Sequence, residues 1–244
     1  MAKKILFLLV VFLTNIIQGI TGFAGTMLAM PPSVMLVGFD TAKPILNALG
    51  LLSGIYIVAA NRKSVNKKEF LKIVAVMSLG MLAGFALRSV LAGRERVMYI
   101  MLGAVVILTA VSGIYKTFLK KSGGHSHGKA VSAVLLIAAG VMHGLFVCGG
   151  PLLVSYMTGK VGDKQEFRTT LSACWIVLNG IILTDDIRTG LWNKNMLLLL
   201  CISAVILFAA MFIGSLLCKK MSRGLFMKIT YILLIVSGAL LFIK

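Results

Sequence analysis

Gly22-Phe23-Ala24-Gly25 and Val147-Cys148-Gly149-Gly150 each interrupt an otherwise apolar run, and the polar residues around them are the ones whose types could do chemistry. Gln18, Thr21 and Thr26 flank the first interruption; His143 and Cys148 flank the second, with Pro151 just after it. A helix restarting near Thr26 would aim its first amides at the break, because those N–H groups have no intrahelical acceptor. Such amides, together with the helix dipole, favour an anion. Gln18, Thr21 and Thr26 would add side-chain donors. In the second break the Gly149 and Gly150 amides would do the same, and Pro151 suits a helix start because its missing N–H is not needed there. Glycine also lets the backbone approach a ligand closely. Within a bilayer, irregular backbone is tolerated only where protein buries it or where it lines a wet cavity. A matched pair of Gly/Pro-interrupted apolar segments therefore points to a transporter's binding site. The competing reading is close helix packing through small residues, which is all that Gly80-x-x-x-Gly84 suggests.

The segment after each break carries a second polar set. Lys43-Pro44-Ile45-Leu46-Asn47 corresponds to Arg168-Thr169-Thr170-Leu171-Ser172, and Asn179 follows deeper in the same run. Asn47 and Ser172 occupy equivalent positions about one turn inside their helices, where they either bind substrate oxygens or tie helices together. Lys43 and Arg168 could draw in an anion or snorkel to headgroups. His143 is the ionisable group of suitable pKa near a break, which makes it either a proton-coupling residue or an interhelical hydrogen-bonding group. Asp40, Glu69, Glu95, Asp163, Glu166, Asp185 and Asp186 all fall at the ends of apolar runs or between them. No carboxylate is expected within a span, whereas membrane cation carriers and proton pumps normally keep one there.

The elements that must position these residues are written twice. Residues 19–48 align with 144–173 at one constant offset without a gap, and the register continues, with Ser78 opposite Ser203 and Val111-Ser112-Gly113 opposite Val236-Ser237-Gly238. The apolar runs are 5–20 with 26–37, then 45–60, 71–91, 97–118, 130–147 with 152–157, 169–183, 196–217 and 225–243. This gives an all-α polytopic membrane protein of two four-segment repeats: residues 1–121, a linker at 122–129, and residues 130–244. A mean hydropathy of +1.00 and a composition 59% hydrophobic and 13% charged over 244 residues fit that class.

The net charge of +18 lies between apolar runs, where it anchors headgroups and sets topology; nucleic acid is not an expected partner. The broken first segment of each repeat either spans the bilayer once as a long tilted rod or re-enters as a hairpin. Hairpins make the repeats inverted and divide the basic residues more unequally between the two faces. The positive-inside rule prefers that division, with Lys63, Lys120, Lys164 and Lys219 cytoplasmic and both termini outside. The start of the chain imitates a signal peptide but lacks a small-x-small cleavage site, and is expected to remain as a helix. Cys148, Cys174, Cys201 and Cys218 have no disulfide or zinc spacing, and His125 and His127 in the glycine-rich linker offer too few ligands for a metal.

A glycine-rich break followed by Pro31-Pro32, the basic pair Arg62-Lys63, and a second copy reading His143-Gly144, Gly149-Gly150, Phe167-Arg168-Thr169-Thr170-Leu171-Ser172 and Asn179 together resemble the sulfite exporter TauE/SafE family of permeases. The resemblance covers nearly the whole chain. It implies a transporter of small anions such as sulfite or organosulfonates, an outward direction, and a substrate path near the two glycine-rich segments. Phe23 departs from the family's more consecutive glycines and narrows the first break or gives it an apolar wall.

The expectation is thus a non-enzymatic permease in a bacterial or archaeal plasma membrane, working by alternating access without a cofactor. Its substrate would lie between the two breaks, bound by Gln18, Thr21, Gly22, Gly25, Thr26, Asn47, His143, Cys148, Gly149, Gly150, Arg168, Ser172 and Asn179. Its partners are a small anion and the bilayer, with a homo-oligomer left open. An anion channel and a non-transporting scaffold are the rivals. No nucleophile with a placed base and no acidic metal cluster argues for an enzyme.

Overall fold

The computed structural model describes residues 2–90, 128–158 and 160–242, with scattered positions between 96 and 115. The expected fourth segment at 97–118 and the linker histidines fall largely outside the described residues. Those described are overwhelmingly helical: α1 Ala2–Thr21, α2 Ala24–Val37, α3 Phe39–Asn61, α4 Lys67–Val90, α5 Lys129–Phe146, α6 Gly150–Thr158, α7 Lys164–Arg188, α8 Lys194–Lys220 and α9 Arg223–Phe242. Among the described residues, five apolar stretches are long enough to cross a membrane: Ala2–Thr21, Phe39–Ser64, Lys67–Leu87, Lys164–Arg188 and Lys194–Lys220. Leu71, Leu79, Leu82, Leu198, Val205 and Phe212 stay exposed on them, as lipid-facing side chains should.

The helices gather into two compact units, and each draws on both halves of the sequence. Unit 1 is Met1–Phe70 with Arg168–Ser222, and unit 2 is Leu71–Phe167 with Arg223–Lys244.

In unit 1, α2 folds back along α1. A Cβ on Gly25 would stand 2.8 Å from the Thr14 carbonyl and 2.5 Å from Gln18 Cβ. Those residues lie two and three turns back, where an extended broken rod could not bring them. Gly22, at φ +83, ends α1 with its amide on the Gln18 carbonyl at 2.7 Å, a left-handed cap that glycine adopts without a Cβ penalty. Helix α8 starts on an Asn193 side chain that accepts from the Met196 amide at 3.0 Å, satisfying one orphan N–H. It crosses α1 where Gly19 and Gly214 bring the backbones together, a Gly19 Cβ falling 3.0 Å from Gly214 Cα.

Helices α3 and α7 run antiparallel. Lys43 pairs with Asp186, Asn47 reaches Asn179, and Gly54 abuts Ser172, so position rises along one helix as it falls along the other.

Unit 2 has a comparable construction. Gly80 and Gly84 of α4 press against α5 at Gly140 and Gly144, which is the packing role expected of the Gly80-x-x-x-Gly84 spacing. Helix α5 ends at Phe146, and Val147 takes a left-handed φ of 58, its amide on the His143 carbonyl at 2.8 Å. A β-branched residue there is a genuine outlier. Val147 aligns with Gly22, Phe146 with Thr21, and Lys164 at the start of α7 with Phe39 at the start of α3.

Candidate functional site

Unit 1 holds nine of the residues singled out from the sequence, and six of them, Gly22, Arg168 and Ser172, then Thr26, Asn47 and Asn179, form two clusters along the α3–α7 seam. The first lies at the break. A Cβ on Gly22 would meet Arg168 Cγ, the Arg168 carbonyl and Ser172 Oγ, each at 3.1 Å. The turn therefore sits directly on the first part of α7, and only a residue without a side chain fits. Ser172 Oγ donates to the Arg168 carbonyl at 2.8 Å. Arg168 is 3% exposed; its Nη2 donates to Ser215 Oγ at 2.9 Å, and its Nε has no partner. No carboxylate pairs with this guanidinium among the described residues.

Gln18 and Thr21 prove to be internal caps. Gln18 Oε1 accepts from the Gly25 amide at 2.8 Å, while its Nε2 donates to Ser53 Oγ at 3.0 Å. Thr21 Oγ1 accepts from the Ala24 amide at 3.1 Å and donates to the Ile17 carbonyl at 2.9 Å. The amides expected to face a ligand at the start of α2 are thus satisfied within the hairpin for Ala24 and Gly25. The space beside Gly25 is filled by α1.

The second cluster lies two turns along α7, about 10 Å at 1.5 Å per residue. Asn47 is fully buried; its Nδ2 donates to the Asn179 carbonyl at 3.1 Å, and its Oδ1 has no partner. A Cβ on Gly50 would fall 2.7 Å from Asn179 Nδ2 and 3.3 Å from Thr26 Oγ1, so Thr26, Asn47 and Asn179 converge around that glycine.

Farther along the seam is a feature the sequence reading missed. Lys43 Nζ donates to Asp186 Oδ1 at 2.7 Å, with side chains 1% and 0% exposed. Asp186 lies in the last turn of α7, at a segment end as expected of every acid, but it is fully buried there. Lys43 is a buried ion-pair partner and does not snorkel.

His143, Cys148, Gly149 and Gly150 belong to unit 2. All four are buried, and a Cβ on Gly149 would stand 2.9 Å from His143 Cβ, so that glycine serves the turn of the chain back onto α5. Cys148 is a free, buried thiol. No group of three or more metal-ligating side chains occurs among the described residues.

The sequence-only signal for the first cluster was the equivalence of Lys43 and Arg168. Nothing local distinguished their fates, because the carboxylate that neutralises Lys43 comes from the far end of another helix. Searches of curated proteins and of solved structures each return no match. The model of the family described as sulfite exporter TauE/SafE matches residues 7–241, nearly the entire chain, and with its apolar helices this makes the protein a membrane transporter of the sulfite exporter TauE/SafE family.

Proposed function

We propose that the protein exports small sulfur-containing anions, sulfite or organosulfonates, by alternating access, and that Arg168 is the cation that holds them. The observation that carries this reading is the burial of the Arg168 guanidinium beside the Gly22 turn, with Ser215 as its hydrogen-bond partner and no carboxylate on it among the described residues. An ionised side chain out of water is costly unless paired, by several kcal/mol. Arginine's planar fork matches an oxyanion and stays charged at any physiological pH. Ser172 and Ser215 place hydroxyls next to it, and an oxyanion there would supply the missing counter-charge.

The seam also supports the reading of inverted halves. When the halves are exchanged by the sequence alignment, the Asn47–Asn179 contact becomes Gly54–Ser172, which is itself present. Two aligned helices that run antiparallel with a contact set that maps onto itself are what a two-fold axis in the membrane plane would produce. A thermal-shift panel of the purified protein against sulfite, sulfate, thiosulfate, sulfonates and carboxylates tests the assignment. A ligand bound only by the folded state raises the melting temperature. The rise should occur with sulfite or sulfonates and vanish in R168M; an equal rise in R168M removes Arg168 from the site.

A further inference from the structure

We infer that Lys43 is a second anion station equivalent to Arg168, and that Asp186 is its built-in occupant, a tethered anion displaced when substrate reaches that end of the seam. This rests on the reading of Arg168 as the substrate-holding cation.

Four observations carry it. Lys43 and Arg168 are aligned residues of the two halves and sit at the same place from the starts of α3 and α7. Both are buried, at 1% and 3% exposure. They lie at opposite ends of one antiparallel seam: Arg168 and Asp186 are about 27 Å apart along α7 by helical rise, close to the thickness of a hydrocarbon core. Their counter-charges differ. Lys43 holds the Asp186 carboxylate at 2.7 Å, whereas the residue aligned with Asp186 is Asn61, an amide that brings no charge and whose Nδ2 donates to the Ile57 carbonyl at 3.1 Å.

The seam therefore has two equivalent cationic ends. The protein supplies the anion at one, and at the other Arg168 has none among the described residues. Between them lie the buried polar groups of Ser172, Asn47 and Asn179. A carboxylate and a sulfite or sulfonate make the same charge-assisted hydrogen bonds to an ammonium, so one can exchange for the other on Lys43 without leaving the cation bare. Asp186 Oδ2 has no hydrogen-bond partner, so its carboxylate is held through Oδ1 and is not locked on both oxygens.

Equilibrium dialysis of radiolabelled sulfite against the full-length protein in detergent, under anaerobic conditions, provides the test. Wild type should bind a single sulfite, and R168M none. D186N should bind a second sulfite at Lys43, and R168M/D186N should retain that one alone. K43M/D186L, which removes the second station's cation together with its carboxylate, should not gain the second sulfite that D186N gains. D186N should also melt lower than wild type without sulfite and recover as sulfite is added. If D186N does not accumulate, D186S, with a small neutral side chain, replaces it in each arm, and both should be rescued by sulfite during purification. Wild-type stoichiometry in a folded D186N, or failure of both variants to fold even with sulfite present, overturns the second station. Unchanged binding by R168M alongside a gained site in D186N removes Arg168 as the anchor while leaving the Lys43 station standing.

Discussion

Arg168 and Lys43 show how far two aligned residues can diverge once their surroundings are fixed. Both read in the sequence as cations near the start of a helix that could snorkel or attract an anion, and that much was legible. The deciding neighbours were not, because Asp186 and Ser215 approach from other helices at separations that no local pattern encodes. Gln18 and Thr21 were correctly placed at the break, but their donors and acceptors are spent on the Gly25 and Ala24 amides and on Ser53 and Ile17. A side chain that can satisfy an orphan helix amide within its own hairpin does so.

Two predictions belong at this scale. Lys43→Met alone should lower stability by about 3–5 kcal/mol, since it strands a buried carboxylate, while K43M/D186L should fall much closer to wild type; thermal unfolding in detergent checks both. Gly22→Ala should cost at least about 1–2 kcal/mol, because φ is +83 and left-handed backbone penalises any Cβ, with Arg168 and Ser172 adding contacts at 3.1 Å. Unfolding midpoints equal to wild type would contradict this geometry.

Among the helices, the sequence made the apolar segments and the two glycine interruptions plain, and left open whether each interruption was a kink or a reversal. Gly25 against Thr14 and Gln18 makes α1 and α2 a hairpin. Periodicity could not supply that, since the direction of a chain after a break depends on tertiary packing. Gly22, Gly25 and Gly149, expected as ligand contacts, each lie close against neighbouring backbone or side chains. Gly25→Leu should therefore disrupt the hairpin itself, since overpacking a filled site costs about 1–3 kcal/mol or more, and here the neighbours include backbone. Gly140→Leu should be comparably damaging, because its Cβ direction is blocked by the Met77 carbonyl. Gly128→Leu should be tolerated, as nothing lies within 4 Å of a Cβ there. The monodisperse fraction on size-exclusion chromatography of the three variants separates these outcomes; a well-folded Gly25→Leu would return that glycine to open space.

Over the whole molecule, the sequence carries a constant register between two stretches, but the assembly of compact units was not legible in it. Unit 1 takes α1 to α3 from one half, and α7 from Arg168 onward with α8 from the other. Helices α3 and α7 are counterparts in that register, and they pack as an antiparallel seam. The inverted reading predicts that cysteine introduced at Ala2 is labelled by impermeant reagent in intact cells, while cysteines at Lys63 and Lys219 are labelled only after permeabilisation, in a background lacking the native cysteines. Labelling of position 63 but not position 2 in intact cells would reverse that topology.

The most direct test of the central claim, that a buried Arg168 holds a small anion during transport, is sulfite flux into proteoliposomes with wild type, R168K and R168M reconstituted at equal density. Wild-type flux should saturate with sulfite concentration. R168M should lose roughly tenfold or more in apparent affinity, the consequence of losing hydrogen bonds to a charged partner worth about 1.5–3 kcal/mol. R168K should fall between them, keeping the charge without the fork. Saturable flux of wild-type affinity in R168M, or flux that rises linearly without limit in the wild type, would contradict the account.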